Sequence, residues 1–509
     1  MYASLFSLGL VGIDPYLVRV EVDSRRGLPG FDIVGLPDAS VKESRDRVRA
    51  AIQNLGYPSP NAKIVANLAP ADTRKMGSVY DLPLLLGVIA ASGYEEMDFG
   101  KTAVVGEIGL SGEIRGVPGI LPMVLDAAAL GLDTVIVPAV NGTEAAVAEN
   151  IRVLAAEHVS QVIDFFSGRG ELPAAKSVAE KSESLPFPLD MADVRGQAEA
   201  KRALEVAAAG GHNLLMIGPP GTGKSMLAKR LPGILPPMSL EESIETTKLY
   251  SVAGLLSDGF SLVGTRPFRA PHHTVSPASL TGGGSDPKPG DLSLAHNGVL
   301  FLDELPEFPK SSLETLRQPL EDGTVNISRV RSRVSYPARA MLVAAMNPCP
   351  CGYFGAAGEK RCTCSETVIH RYLAKLSGPL LDRIDIQIEV QPVDYDHLTG
   401  GGNTGSSAEM RARVEAARAL QQARYRGTGV ACNAQLSPAM LRDFCVMEPE
   451  ADKLLRDAFD RLGLSARGYD RILKVARTCA DLESADKIGR RHISQAIQFR
   501  SLDRKYWNR

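Results

Sequence analysis

The feature that most constrains this chain is a glycine-rich octapeptide between a short apolar run and a helical pattern. Leu214–Ile217 predicts a buried strand, and Met226–Arg230 predicts the start of a helix. Glycines let backbone N–H groups turn toward phosphate oxygens, and the helix N-terminus adds positive potential. The octapeptide fits the phosphate-loop pattern G-x-x-x-x-G-K-[ST], and its residues are Gly218, Pro219, Pro220, Gly221, Thr222, Gly223, Lys224 and Ser225. We therefore expect an α/β domain that binds ATP, with Lys224 neutralising the β- and γ-phosphates and the Ser225 hydroxyl ligating Mg²⁺.

A second apolar run, Val299–Leu302, ends in two carboxylates. It is typical of a buried parallel strand, and open α/β sheets bind ligands at the carboxyl ends of such strands. Asp303 is predicted to hold Mg²⁺ through water, and Glu304 to activate the attacking water as a general base. A strand that ends in Asp-Glu is by itself more often structural, so this prediction depends on the phosphate loop.

Three further polar residues are candidates for the same site. A third apolar strand, Met341–Met346, ends in Asn347, which would reach the γ-phosphate if this strand lies between the other two. Arg383 lies between a predicted helix end and a strand, where it would either bridge two local acids or reach the γ-phosphate of a neighbouring subunit. On a predicted helix near the C-terminus, Arg467 is the favoured nucleotide sensor, and Arg471 is the alternative.

A cysteine cluster follows Asn347 closely. Four of the seven cysteines, Cys349, Cys351, Cys362 and Cys364, form two C-x-C pairs in one glycine-containing segment. Four thiolates can bind tetrahedral Zn²⁺, and they leave no position for a catalytic water. The cluster therefore predicts a structural zinc site, with four reduced thiols in a surface loop as the alternative.

Length and charge set outer limits on the molecule. The 509 residues are too many for one ordinary domain, and 57 basic against 59 acidic residues exclude a polybasic nucleic-acid binder, so any nucleic-acid contact needs a local basic patch. The most apolar stretch, Leu82–Ala91, is too short to span a bilayer, and the first basic residue, Arg19, comes too late for a signal peptide. We expect a cytoplasmic protein without membrane contact.

The N-terminal part alternates strand and helix patterns. Val18, Val20 and Val22 alternate with charged residues, as in a half-buried strand. A helix is predicted after a capping box of Ser40 and Glu43. Further strands are predicted at Ile64–Leu68, Val104–Ile108 and Thr134–Val137.

The phosphate loop, the Leu-Asp-Glu strand end, Asn347, Arg383 and Arg467, in this order, resemble an AAA+ ATPase. The block is similar to the magnesium-chelatase-like clade, and it shares with MCM helicases a hairpin before the third strand. The phrases RPFRAPHHT at 266–274 and AGGHN before the first strand narrow the resemblance to the YifB/ComM type. This resemblance covers essentially the whole chain.

The resemblance implies an α/β multidomain protein. Its expected parts are a Lon-protease-like α+β domain of the ribosomal-protein-S5 type (1–168), a linker (169–187), an AAA+ core with the hairpin and the cysteine loop (188–397), a second linker (398–407) and a helical lid (408–509). Val79 and Leu121 stand where Lon proteases place the catalytic serine and lysine. Because a serine without a positioned base is a weak nucleophile, the adjacent Ser78 does not restore the dyad. The first domain is therefore expected to be a non-proteolytic scaffold or DNA-binding module.

The predicted hairpin, Val325–Val330 and Arg333–Ala338, carries Arg329, Arg331 and Arg333. An alternating Arg-x-Arg-x-Arg strand would place the three guanidinium groups on one face, which suits contact with DNA phosphates; a solvated face is the alternative. By the resemblance, subunits form a homo-oligomer, expected to be a hexamer, with these arginines in the central pore.

The resemblance implies an ATP-hydrolysing translocase or helicase acting on single-stranded or branched DNA, as in natural transformation and homologous recombination. Two other functions stay open. A magnesium chelatase subunit is disfavoured by the added N-terminal domain and the cysteine cluster, and no porphyrin partner is expected. A protein-remodelling motor usually has an aromatic pore loop, whereas this hairpin is rich in arginine.

Overall fold

The computed structural model describes residues 1–176, 189–256, 262–284, 287–329, 332–355, 361–392 and 405–507. The chain divides into two compact units. The first contains Met1–Glu183, Leu240–Val263 and Ser328–Tyr336, and the second contains Ser184–Ser239, Gly264–Ile327 and Pro337–Arg509. Within the described residues, no helix combines the length and apolarity needed to cross a membrane.

The N-terminal segment of the first unit has nine strands and five α-helices among its described residues, besides a short 3-10 helix at Ala139–Asn141. The strands are β1 (Tyr2–Val11), β2 (Asp14–Arg25), β3 (Gly30–Val34), β4 (Lys63–Ala69), β5 (Thr102–Val104), β6 (Glu107–Ile108), β7 (Ile114–Arg115), β8 (Thr134–Pro138) and β9 (Arg152–Ala156). The helices are α1 (Ala39–Asn54), α2 (Asp81–Ala91), α3 (Ile120–Leu125), α4 (Gly142–Ala145) and α5 (Val159–Phe166). Seven strands form one mixed sheet in the order β3-β4-β2-β1-β5-β8-β9.

The alternation read from the sequence is confirmed in β2. Val18, Val20 and Val22 are fully buried in the core of the first unit, and Arg19 between them is exposed. The strands predicted at Ile64–Leu68 and Thr134–Val137 lie within β4 and β8.

Two local predictions in this segment are wrong. The cap of α1 is Asp38, whose side chain accepts a hydrogen bond from the Val41 N–H, so the helix starts before the predicted capping box of Ser40 and Glu43. The strand predicted at Val104–Ile108 is interrupted, because β5 ends at Val104 and β6 starts at Glu107. Gly106 between them has φ +155°, a conformation that glycine adopts readily and other residues rarely do.

The second unit contains a parallel sheet and a helical C-terminal region. From residue 189 onward the strands include β10 (Leu214–Ile217), β11 (Phe268–Arg269), β12 (Gly282–Gly283), β13 (Lys288–Pro289) and β14 (Val299–Leu302), followed by β15 (Thr324–Arg329), β16 (Ser332–Pro337), β17 (Met341–Met346) and β18 (Ile386–Glu389). The end of β15 from Ser328 and β16 up to Tyr336 belong to the first unit. Five of the strands form a sheet in the order β11-β14-β17-β10-β18, in which every pair is parallel. The fold is thus mixed α/β, in agreement with the AAA+ expectation. The resemblance of the first unit to the Lon domain stays a prediction.

The helices of this part of the chain lie before and after the last strand of the sheet in sequence, and one of them, Leu240–Ala253, belongs to the first unit. Up to the sheet's last strand they are α6 (Ala198–Gly210), α7 (Lys224–Arg230), α8 (Leu240–Ala253), α9 (Pro277–Thr281), α10 (Asp291–Leu294), α11 (Lys310–Thr315), α12 (Pro319–Asp322), α13 (Glu366–Leu373) and α14 (Gly378–Leu381). They are followed by α15 (Ser407–Arg424), α16 (Pro438–Phe444), α17 (Pro449–Leu462), α18 (Ala466–Leu482), α19 (Arg490–Gln498) and α20 (Leu502–Tyr506). Residues 405–507 have no strand, as the sequence predicts.

The predicted hairpin is present as β15 and β16, which form a two-stranded sheet. The prediction that its arginines alternate along one strand is wrong, because Arg329 ends β15 and Arg333 lies on β16. Arg331 and the side chain of Arg329 lie outside the described residues. On β16, Arg333 is exposed, whereas Val334 and Tyr336 are buried.

Candidate active site

The site lies where three buried strands of the second unit end. Strands β14, β17 and β10 are adjacent and parallel, and β17 lies between the other two, as the prediction for Asn347 requires. All three are apolar and buried along their length. The chemistry follows at their carboxyl ends, which meet at one edge of the sheet.

The phosphate loop follows β10 and leads into α7, which begins at Lys224. Gly221 and Gly223 have φ of +79° and +87°, and a side chain at either position would be strained. At Gly218, a β-carbon would lie 2.3 Å from the carbonyl oxygen of Val390, so only glycine fits between the loop and the chain after β18.

Lys224 is almost fully buried, and its Nζ donates hydrogen bonds to the carbonyl oxygens of Gly218 (2.7 Å) and Pro219 (2.8 Å). Its Nζ also lies 3.3 Å from Oδ1 of Asn347. Burial lowers the pKa of Lys224 to about 8, and the charge of Asp303 opposes this shift. The ammonium is thus held in a poorly solvated place, where phosphate oxygens would favour its charged form.

The two predicted Mg²⁺ ligands are in contact. The Ser225 hydroxyl donates a hydrogen bond of 2.6 Å to Oδ2 of Asp303. A hydroxyl and a carboxylate are oxygen ligands of the kind that Mg²⁺ prefers, and one or two such protein ligands with phosphates and water complete its shell. The pair fits the predicted ion.

Glu304 follows Asp303 in a left-handed backbone conformation with φ +52°. Its side chain is 58% exposed, and its Oε2 lies 3.6 Å from Nδ1 of His273. His273 is not among the residues predicted for the site, although it belongs to the RPFRAPHHT phrase. The ring of its neighbour His272 lies tilted against it, with 4.1 Å between the ring centroids.

Arg383 and Arg467 are not brought to this edge of the sheet. Arg383 precedes β18, which runs parallel to β10 with Ile386 opposite Leu214, so Arg383 lies at the amino ends of the strands. It forms an ion pair with Glu321. Arg467 lies near the same end, because its Nη1 is 3.8 Å from Oδ2 of Asp382.

The two candidate sensors differ in their surroundings. The Arg467 side chain is 62% exposed, whereas that of Arg471 is 12% exposed and lies 3.7 Å from carboxylate oxygens of both Asp382 and Asp385. Burial lowers the pKa of Arg471, and Asp385 opposes the shift. Arg471 is therefore engaged within the chain, and Arg467 is the more accessible of the two.

The four cysteines of the cluster come together. Their Sγ atoms all lie within 4.8 Å of one another, and Cys349, Cys351 and Cys362 are 3.3 to 3.7 Å apart. Sulfur atoms bound tetrahedrally to Zn²⁺ at about 2.3 Å lie about 3.8 Å from each other. The donor set and its spacing fit a closed zinc site.

Comparison with known proteins identifies the family. Models of the magnesium chelatase subunit ChlI match residues 20–141 and 190–398, and a model of the ChlI C-terminal part matches residues 404–500. The chain is 43% identical to the protein YifB of Salmonella typhimurium over 97% of this chain and 96% of that protein. It is also 43% identical to the competence protein ComM of Haemophilus influenzae, over 99% and 98% of the two chains.

A more distant match is to the DNA replication licensing factor mcm2 of Xenopus tropicalis, at 25% identity over 38% of this chain and 20% of that protein. The full-length relatives settle the classification. The chain belongs to the magnesium chelatase subunit ChlI family, in its YifB/ComM type.

The buried lysine makes nucleotide affinity depend on pH. Phosphate oxygens bind the charged ammonium, so above the pKa of about 8 binding requires uptake of a proton. We expect the affinity for ATP to be about tenfold weaker at pH 9 than at pH 7, where Lys224 is charged before binding. Titration with a fluorescent ATP analogue at several pH values measures this change.

The control is Lys224→Arg, whose guanidinium keeps its charge over this range. Its affinity should vary little between pH 7 and pH 9. An equally flat profile for the wild type would contradict the lowered pKa.

Proposed function

We propose that this chain is the subunit of an ATP-hydrolysing ring motor that acts on DNA, as a translocase or helicase on single-stranded or branched recombination intermediates. The proposal rests on one observation: a short segment of chain connects the hairpin directly to the candidate active site. Strand β16 of the arginine-bearing hairpin ends at Pro337, and β17, which starts at Met341, ends beside Asn347 at the phosphate loop. A change at the γ-phosphate can therefore be transmitted along one short segment to the hairpin.

The residues of the site have distinct roles in hydrolysis. Lys224 neutralises the β- and γ-phosphates, while Ser225 and Asp303 hold Mg²⁺, which supplies charge stabilisation when bound. Glu304 accepts a proton from the attacking water, and Asn347 orients that water and the γ-phosphate. The contacts between Lys224 and Asn347 and between Ser225 and Asp303 support this assignment.

Arg383 and Arg467 act on the nucleotide of a neighbouring subunit. Both lie toward the amino ends of the sheet strands, away from the phosphate loop of their own chain. An arginine supplied by a neighbour requires a closed arrangement of subunits, and we propose a homohexamer with ATP at each interface.

Mixing inactive variants tests this arrangement. Lys224→Ala disables the ATP site of the subunit that carries it. Arg383→Ala removes the arginine that this subunit supplies to the ATP site of its neighbour. Each variant alone should be inactive. In rings formed at random from equal amounts of the two variants, about a quarter of the interfaces join an intact ATP site to an intact Arg383. The mixture should therefore recover about a quarter of the wild-type turnover.

The matched control mixes Lys224→Ala with Glu304→Gln. Both substitutions affect the same edge of the sheet, so every interface keeps a defective site and no activity should return. If the first mixture also stays inactive while its subunits still co-assemble, Arg383 does not act in trans.

The hairpin is the proposed DNA contact. Arg333 is exposed on β16, while Val334 and Tyr336 on the other face are buried and fix the strand. Arginine side chains contact DNA phosphates without reading the sequence, which suits a motor that tracks along DNA. The ComM relative is named a competence protein, and the mcm2 match is named a DNA replication licensing factor; both names support a DNA substrate.

We also propose that the protein is located in the cytoplasm, where ATP and DNA are available.

ATP turnover with and without DNA tests the function. We expect single-stranded or four-way-junction DNA to stimulate the wild type, and Glu304→Gln to lower turnover about 100-fold or more through loss of the general base. The triple substitution of Arg329, Arg331 and Arg333 by alanine should keep the basal rate and lose the stimulation.

A triple substitution of exposed arginines on the C-terminal helices, Arg456, Arg461 and Arg491, is the matched control and should keep the stimulation. Stimulation by an unfolded protein and by no form of DNA would instead indicate a protein-remodelling motor. Stimulation only together with a porphyrin would indicate a metal-insertion motor.

The N-terminal domain is proposed to be a non-proteolytic scaffold or DNA-binding module. Val79 and Leu121, at the positions that Lon proteases use for serine and lysine, are buried apolar side chains. The hydroxyl of the adjacent Ser78 donates a hydrogen bond to the Glu107 carboxylate, so its partner in this contact is an acid and not a lysine. The absence of the serine and lysine at these two positions supports a non-proteolytic role.

We further propose that the four-cysteine cluster binds one zinc ion. Their mutual spacing supports this, and closed thiolate sites are structural. Metal analysis of the purified protein should give one zinc per chain, and the double substitution Cys362→Ser/Cys364→Ser should remove it. Cys432→Ala, which changes a buried thiol outside the cluster, should keep it. Retention of zinc by the double variant would place the ion elsewhere.

A further inference from the structure

The cysteine cluster and the phosphate loop are in direct contact through one glycine. The Gly352 N–H donates a 3.0 Å hydrogen bond to the Cys349 carbonyl, which closes a tight turn containing Cys349 and Cys351. A β-carbon on Gly352 would lie 2.5 Å from Cδ and 2.8 Å from Cγ of Pro220, the third residue of the phosphate loop. Nothing larger than glycine fits between the turn and the loop.

The same segment is held on its other side by the C-terminal residues. The Phe354 ring packs edge-on against Tyr506, with 6.2 Å between centroids. Lys505 forms an ion pair of 2.6 Å with Glu389, at the end of β18. These contacts restrain the segment, and its contact with Pro220 is the route by which a change in the turn would reach the phosphate loop.

We propose that the four-thiolate cluster is an allosteric metal site that sets the conformation of the phosphate loop, so that zinc and nucleotide each strengthen the binding of the other. This inference rests on the proposed zinc site and the proposed ATP site. One conformation brings the four thiols within bonding distance of a single ion and also forms the phosphate loop. A ligand that stabilises this conformation favours the other ligand, and such coupling is reciprocal.

The coupling is measured from both directions on the full chain. Zinc is removed with a nitrogen chelator that leaves Mg²⁺ in solution, and the affinity for a fluorescent ADP analogue is compared before removal, after removal and after zinc is restored. We expect removal to weaken ADP binding about fivefold or more and restoration to reverse the loss. Saturating ADP·Mg²⁺ should strengthen zinc retention against the chelator by the same factor.

Two alanine substitutions in the same segment separate the contact from general effects on folding. Gly352→Ala places a methyl group against Pro220 but leaves the four thiols intact, so it should retain zinc while binding ADP more weakly. Gly355→Ala is the matched control, since Gly355 also has a positive φ (+69°) and its β-carbon would lie 3.5 Å or more from the nearest atoms, those of the Lys505 side chain. It should match the wild type in zinc content and ADP affinity.

The outcomes that overturn the inference are distinct from failure of its premises. Equal ADP affinity in zinc-loaded and zinc-free protein, or equal affinity in the two alanine variants, overturns the coupling and leaves both sites standing. A protein that binds ADP but contains no zinc overturns the coupling through its metal site. A protein that holds zinc but binds no nucleotide overturns it through the proposed ATP site.

Discussion

Every polar contact of the candidate active site depends on the burial of three adjacent parallel strands. Strands β10, β14 and β17 carry only apolar side chains and are buried throughout, so ionisable groups are found only beyond their ends. The parallel register then brings those ends to one edge, where Ser225 meets Asp303 and Lys224 meets Asn347. In this setting the ammonium of Lys224 is turned onto backbone carbonyls, which phosphate oxygens can replace. The positions of these side chains thus follow from the packing of the sheet.

Most of this arrangement could be predicted from the sequence, because its determinants are local. The runs Leu214–Ile217, Val299–Leu302 and Met341–Met346 are continuous and apolar, and each leads directly into residues that the sequence predicts for the site. The parallel α/β class follows from the same pattern. The prediction for Asn347 required β17 to lie between β14 and β10. The pairing of β17 with both of these strands confirms that order.

The rest depends on competition between neighbours or on contacts between distant segments. Asp38 and Ser40 are both good helix caps, and only the path of the chain into α1 selects Asp38. The segment that carries Arg329, Arg331 and Arg333 is compatible with one continuous strand and also with a hairpin turn. Its sequence therefore does not exclude the wrong prediction that the three arginines alternate along one strand. The approach of His273 to Glu304 joins segments far apart in the chain, and so does the packing of Gly352 on Pro220. No periodicity within a single segment encodes such contacts.

The separation of Lys224 and Arg383 at opposite ends of the sheet explains why the proposed motor needs more than one subunit. A rigid sheet separates Lys224 at one end from Arg383 at the other, so a chain cannot apply its own Arg383 to its own nucleotide without breaking the fold. If that arginine is needed for hydrolysis, each site is completed only by a neighbour, and the rate of hydrolysis reports how two subunits are placed. In the proposed motor, the same γ-phosphate would be sensed by Asn347, which follows the strand after the hairpin. Subunit placement and hairpin position are then linked through one phosphate group, which is what a motor requires to convert hydrolysis into movement along DNA.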